Sequence, residues 1–201
     1  MELGQIIAFN LALLAAIASP GPSLLFLIKS TLAGGRRVGM SAAAGLATMA
    51  ALWTLMALLG LDGLFQIFPW LYVILKTLGA AYLIWIAIST WKNANAPVSA
   101  ASAPENRRAF LSGFLVNLGN PKSVFFSAAV LVVIFPASLS TAEKALIFAN
   151  HLGVELIVQP TLAIFLSTGV VSRRYLSAKP LLDRFTATIL GALGLKLLLS
   201  K

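Results

Sequence analysis

Six apolar runs, joined by short polar spacers, limit what this chain can become more than any other feature. They lie at about 5–28, 39–61, 70–91, 110–135, 143–170 and 185–200. A transmembrane helix needs about 20 consecutive apolar residues, so 201 residues hold six such helices with short connections. Charged residues make up only 10% of the chain, and mean hydropathy is +0.93. A soluble domain ordinarily carries about 25% charged residues to cover its surface; this chain lacks them, and lipid is its natural solvent. The expected fold class is an all-α integral membrane protein of six transmembrane helices, one transmembrane domain over residues 1–201. The sixth run is short for a span, so its helix is expected to begin earlier. Ala16-Ile17-Ala18 looks like a signal-peptide cleavage site, but no Lys or Arg precedes Lys29. A signal peptide has a basic start, and the segment is expected to remain as the first span.

The spacers carry turn residues: Ala33-Gly34-Gly35, Asp62-Gly63, and Pro136 with Ser138 and Ser140. Residues 92–109 form the one long linker, rich in Ala, Ser, Asn and Pro, a composition that buries too little surface to order itself. It separates two three-helix halves, 1–91 and 110–201. Net charge is +9, and ten of the basic residues fall in alternate spacers: Lys29, Arg36, Arg37; Lys92, Arg107, Arg108; Arg173, Arg174, Lys179, Arg184. Basic loops stay in the cytoplasm, so the linker is expected to be cytoplasmic and both termini to face outward. The other side has Lys144 and Lys201, with Lys76 and Lys196 placed to snorkel toward it. Trp70, Tyr72 and Trp91 suit an interfacial aromatic belt.

Several function classes fall away. No basic stripe interleaved with aromatics appears, so nucleic acid is not an expected partner. Without cysteine there is no disulfide, thiolate nucleophile or Cys-ligated metal; one His and no carboxylate cluster make no metal site. Neither a nucleophile elbow nor a phosphate loop is present. No enzymatic activity and no cofactor are expected. Membrane lipid is the expected surrounding, and a homo-oligomer is compatible with the chain. The small residues Gly39, Ala43, Ala47 and Ala51, and Gly191 with Gly194, form stripes suited to close helix packing in lipid.

Two runs contain proline in their interior. The first carries Ser19-Pro20-Gly21-Pro22-Ser23, and the fourth Asn117-Leu118-Gly119-Asn120-Pro121-Lys122-Ser123. Proline removes a donor and clashes with the preceding turn, so both helices should break. In lipid the freed backbone groups need protein partners or a water-filled cavity. A plain kink would satisfy that alone, but here the first helix of each half breaks. Leu78-Gly79-Ala80 and Leu190-Gly191-Ala192 echo one another in the third helix of each half. With three helices per half, the second half is inverted. Inverted repeats with matching broken helices point to the binding site of a secondary transporter.

Ionisable groups deep in a membrane are costly and usually functional. Lys122 lies about 12 residues, or roughly 18 Å, into the fourth run. Glu155 lies equally deep in the fifth and is the one carboxylate expected well inside a span. His151, Glu155 and Gln159 share a helix face at four-residue spacing, ahead of a break expected at Pro160. His151 by itself suits a structural place near the outer interface, and Asn10 an interhelical hydrogen bond. The alternative for Lys122 and Glu155 is an ion pair that joins two helices. A half-helix N-terminus and Lys122 would receive a substrate carboxylate. Carbonyls freed near Pro20–Pro22, with Asn117 and Asn120, would receive a substrate ammonium. Candidate substrate-binding residues are thus Pro20, Gly21, Pro22, Ser23, Asn117, Asn120, Pro121 and Lys122. Glu155 is the candidate proton carrier, and His151 and Gln159 line the cavity. A passive facilitator, or an accessory protein that carries no solute, are the other classes.

Ser19-Pro20-Gly21-Pro22, Asn117-Leu118-Gly119-Asn120-Pro121-Lys122 and Gly79-Ala80-Ala81-Tyr82-Leu83 resemble motifs of the LysE/RhtB amino-acid exporters. Length, six runs and the long third spacer agree, so the likeness covers nearly the whole chain. It implies efflux of amino acids or small derivatives across a bacterial inner membrane by proton exchange. One departure is Ser23, where relatives often carry Asp or Asn; a neutral hydroxyl cannot pair with an ammonium as a carboxylate would.

Overall fold

The computed structural model describes residues 1–19, 21–67, 70–96, 108–136 and 138–199. At 61–67, 71–73, 75, 76, 79, 82, 86, 121, 125, 172 and 197 only the backbone is described. Pro20, Arg107, Lys201, most of the linker, and the side chains of Tyr72, Lys76 and Pro121 therefore lie outside the described residues.

Among the described residues the chain is all-helical: α1 Leu3–Ala18, α2 Pro22–Ile67, α3 Trp70–Lys92, α4 Ala109–Leu118, α5 Pro121–Ile134, α6 Thr141–Phe165, α7 Gly169–Ser177 and α8 Lys179–Leu199. Pro22–Gly60 and Thr141–Phe165 are long and apolar enough to cross a membrane; the bent pair Ala109–Leu118 and Lys122–Ile134 makes a third.

The outward faces identify the solvent. On α1 Leu3, Ile7, Leu11 and Leu14 are exposed, while Phe9, Ala12 and Leu13 are buried. On α6 the buried stripe Ile147, His151, Glu155, Gln159 and Ala163 holds the polar residues, and Leu146, Ile157 and Phe165 face out. A helix with its polar stripe inside and its apolar face outside is built for lipid.

Gly35 divides α2 into two helices. Its φ of 75° with ψ of −176° is a conformation essentially confined to glycine. A Cβ on Gly39 would fall 2.2 Å from Thr31 Oγ1. Residues eight apart in a continuous helix are separated by about 12 Å along the axis, so the chain turns back at Gly35, as its turn residues predict. A Cβ on Gly35 itself would meet nothing within 4 Å. Gly35→Ala is therefore expected to cost about 1–3 kcal/mol through backbone conformation alone, read by thermal melting in detergent.

Three boundaries differ from expectation. Asp62-Gly63 forms no turn, because α2 continues to Ile67; neither residue forbids a helix as proline does. Pro160 does not end α6, which continues to Phe165; the helix passes through the proline at the loss of one backbone donor. The helix that holds the sixth apolar run, α8, begins at Lys179, earlier than the run itself, as expected from the run's short length.

The closest packing joins α2 to α4 and α6, and α3 to α8. Glycine permits it. A Cβ on Gly45 would lie 2.0 Å from Phe110 O, one on Gly113 2.3 Å from Ala42 O, and one on Gly194 2.9 Å from Ala80 O. Gly194 thus packs as its stripe predicts, whereas Gly45 lies beside the expected α2 stripe. Asn10 and Asn150 exchange amide hydrogen bonds of 2.8 and 3.3 Å between α1 and α6, the interhelical role expected of Asn10. The N-terminal ammonium meets Glu143 at 2.7 Å, so the chain start and the head of α6 share one end. At the other end Arg36 donates to Ser167, and Lys179 to the carbonyls of Asn93 and Ala94, gathering the basic spacers on one face.

Candidate functional site

Both proline motifs break their helices, and the two breaks face one another. α1 stops at Ser19 and α2 starts with Pro22 at its first position, where proline's missing donor costs nothing. α4 stops at Leu118, and α5 starts with Pro121 behind the Asn120 N-cap. The two pieces of the fourth run meet at 70°. Asn120 Oδ1 accepts from Lys122 N at 3.1 Å, and its Nδ2 donates to Ser23 Oγ at 2.8 Å. One amide thereby caps its own helix and links the two breaks.

At the two breaks, the carbonyls that the prolines leave without a helical donor accept from side chains of other helices. Pro20 would have paired with Ala16 O, which accepts from Lys122 Nζ at 3.3 Å. Pro22 would have paired with Ala18 O, which accepts from Tyr175 OH at 2.8 Å. Pro121 would have paired with Asn117 O, which accepts from Trp53 Nε1 at 3.3 Å. Unpaired backbone is too costly in lipid to be left bare. The helix breaks are therefore held open by side chains from other helices.

Between the breaks and α6 lies a cavity of about 70 Å³, room for roughly five waters. Gly21, Pro22, Ser23, Asn117, Asn120, Lys122, His151, Glu155 and Gln159 all line it, with Ser19, Ser123 and Ser127. Leu13 and Phe126 bring in one apolar core and Leu24 the other. The N-termini of α2 and α5 both open here, so two partly positive helix ends and Lys122 share the cavity with Glu155.

Several side chains are committed differently from the sequence expectation. Lys122 and Glu155 do not form an ion pair: Lys122 holds Ala16 O, while Glu155 Oε2 accepts from Gln159 Nε2 at 2.7 Å. Facing the cavity from different helices is not enough to join them once the proline-freed carbonyl claims the ammonium. His151 is buried inside the protein. It is 2% exposed, its Nδ1 lies 2.7 Å from Thr54 Oγ1, and its ring meets Phe9 edge-on. Its Nε2 has no hydrogen-bond partner and lies 3.5 Å from Glu155 Oε1. Asn117 lines the cavity but is spent on structure: Nδ2 donates to Leu46 O at 2.6 Å, and Oδ1 accepts from Ser123 Oγ.

The LysE type translocator profile matches residues 14–201. The chain belongs to the LysE type translocator family. Among relatives of this translocator, the threonine efflux protein of Escherichia coli (strain K12) is 27% identical over 94% of each chain. The homoserine/homoserine lactone efflux protein of Salmonella typhimurium is 34% identical over 70% of this chain and 67% of its own. The leucine efflux protein of an Enterobacter species is 29% identical over 87% and 83%. No solved structure matches the chain.

Sequence reasoning missed a second interior acid of the translocator. Asp183 is 3% exposed in α8, paired with Lys179 at 2.8 Å and hydrogen-bonded to Ser19 Oγ at 2.9 Å. Glu155 is thus not the sole buried carboxylate, and Lys179 is no loop charge. Extending the sixth run back by the turns a span needs would have enclosed both. Asn120 offers a direct check on the linked breaks. Asn120→Ala removes an N-cap, about 1 kcal/mol, and the bond to Ser23, about 1 kcal/mol more. Thermal melting in detergent is expected to fall accordingly, with Asn120→Asp recovering the cap.

Proposed function

We propose that this protein is a secondary transporter that exports a small neutral amino acid across the bacterial inner membrane in exchange for protons. The observation that carries this reading is the meeting of two broken helices, one from each half, around a small polar cavity that holds a base and an acid. In this reading the chain has six spans in two inverted three-helix repeats, with the basic spacers cytoplasmic and both termini periplasmic. A zwitterion in the cavity turns its carboxylate toward the N-termini of α2 and α5 and Lys122. Its ammonium faces the side-chain oxygens of Ser23 and Glu155, because the proline-freed carbonyls are already engaged. Glu155 carries the proton, with His151 beside it.

The serine-rich lining and the small volume favour a substrate with a hydroxyl side chain, in keeping with the threonine and homoserine efflux relatives. Purified protein in liposomes, loaded with labelled threonine, homoserine, leucine and lysine in turn, provides the test. Flux of a hydroxyl amino acid that grows with an imposed pH gradient is the expected result. Flux indifferent to the gradient would make the protein a facilitator. No flux of any amino acid through folded protein would remove the export reading.

A further inference from the structure

One buried ionic cluster lies outside the cavity and takes no part in the mechanism above. Lys179 and Asp183 face each other on successive turns of α8, 2.8 Å apart. Lys179 Nζ also donates to the carbonyls of Asn93 and Ala94 at 2.8 and 2.9 Å, which ties α8 to the end of α3. Asp183 Oδ1 accepts from Ser19 Oγ, the residue on which α1 stops. Two neighbours strengthen the same junction. Tyr175 OH reaches Ala18 O at 2.8 Å, and Thr186 Oγ1 reaches Ala15 O at 2.9 Å.

The position of this cluster is what matters. Ser19 lines the cavity between the helix breaks. Lys179 lines a different groove of about 650 Å³ on the basic face, together with Lys29, Arg173 and Asn95. The bonded row Ser19–Asp183–Lys179 therefore reaches from one space to the other and is placed to act as a partition between them. Stability alone does not explain an ion pair here. An apolar pair of equal volume is often as stable or more so, because desolvation offsets the attraction. A polar partition has a different merit: when it parts, water can replace each bond that is lost.

The geometry points to the Lys179–Asp183–Ser19 partition as the inner gate of the translocator. With the partition joined, the cavity is shut off from the basic-face groove; when it parts, the groove becomes the access route for substrate. This rests on the reading that the cavity is the substrate site, but its test does not need transport.

The chain has no cysteine, so Ser127→Cys places a single thiol in the cavity. In oriented vesicles, a membrane-impermeant maleimide applied to the basic face reads whether the cavity is open to that side. Asp183→Asn in this background is expected to raise the labelling rate from the basic face at least tenfold, with no rise from the opposite face. Should Asp183→Asn not fold, Lys179→Met with Asp183→Leu decides, since it removes both charges at similar volume. It is expected to slow labelling from the basic face, because an apolar partition has no bonds for water to replace. A folded variant that labels at the parent rate, or one that labels faster from both faces, overturns the gate. One-sided labelling without amino-acid flux would instead uphold the gate and fail the export reading.

Discussion

Glu155→Gln is expected to abolish the dependence of efflux on a pH gradient while leaving the protein folded. The change is nearly isosteric. Gln159 Nε2, which donates to Glu155 Oε2 at 2.7 Å, can donate equally well to an amide oxygen, so packing around the site is preserved. What the variant loses is the ability to take up and release a proton. One pH unit is worth about 1.4 kcal/mol, a factor of about 10 in concentration. A one-for-one exchanger therefore sustains roughly a tenfold substrate gradient per pH unit, and the variant should sustain none. Accumulation in liposomes at a fixed pH step measures this directly. Undiminished accumulation by Glu155→Gln would assign the proton to another group.

The second large effect is expected from one methyl group at Gly113. A Cβ there would lie 2.3 Å from Ala42 O, about 1 Å inside an ordinary C···O contact. Backbone carbonyls cannot rotate away as side chains can, so Gly113→Ala must push α4 from α2. Overpacking of this kind typically costs 1–3 kcal/mol, sometimes more. The same movement strains the hydrogen bond from Asn117 to Leu46 O, one helical turn away, and with it the break that forms the cavity. Gly153 in α6 is the matched control, because a Cβ there would meet nothing within 4 Å. Gly153→Ala should gain about 0.5–1 kcal/mol from the better helix former. Opposite signs for the same substitution at two helical glycines would be seen in melting temperatures in detergent. Equal shifts would mean that helix propensity, not the α2–α4 contact, governs both.

Legibility was uneven, and for physical reasons. The breaks at Pro22 and Pro121 could be read because proline acts locally: it has no N–H wherever the chain goes. The face shared by His151, Glu155 and Gln159 could be read because helical periodicity fixes it. The partners were not legible. Nothing in the sequence pairs Lys122 with Ala16 O, Tyr175 with Ala18 O or Asn120 with Ser23, since those contacts join helices far apart in the chain. Asp183 was missed because a charge near the end of an apolar run looks like a loop charge until α8 is seen to start at Lys179.

What the sequence determined by itself was the solvent, the helical class, the two proline motifs at which helices break, and the set of polar residues unable to face lipid. Each follows from composition or from chemistry within a few residues. Tertiary structure alone decided how those groups are spent. It placed the two breaks against each other and gave Lys122 to a proline-freed carbonyl instead of Glu155. It left His151 Nε2 unpaired beside Glu155, and it set Asp183 and Lys179 between the cavity and the basic face. The reason is that a buried polar group takes whichever partner packing brings within reach, and packing is a property of the whole chain.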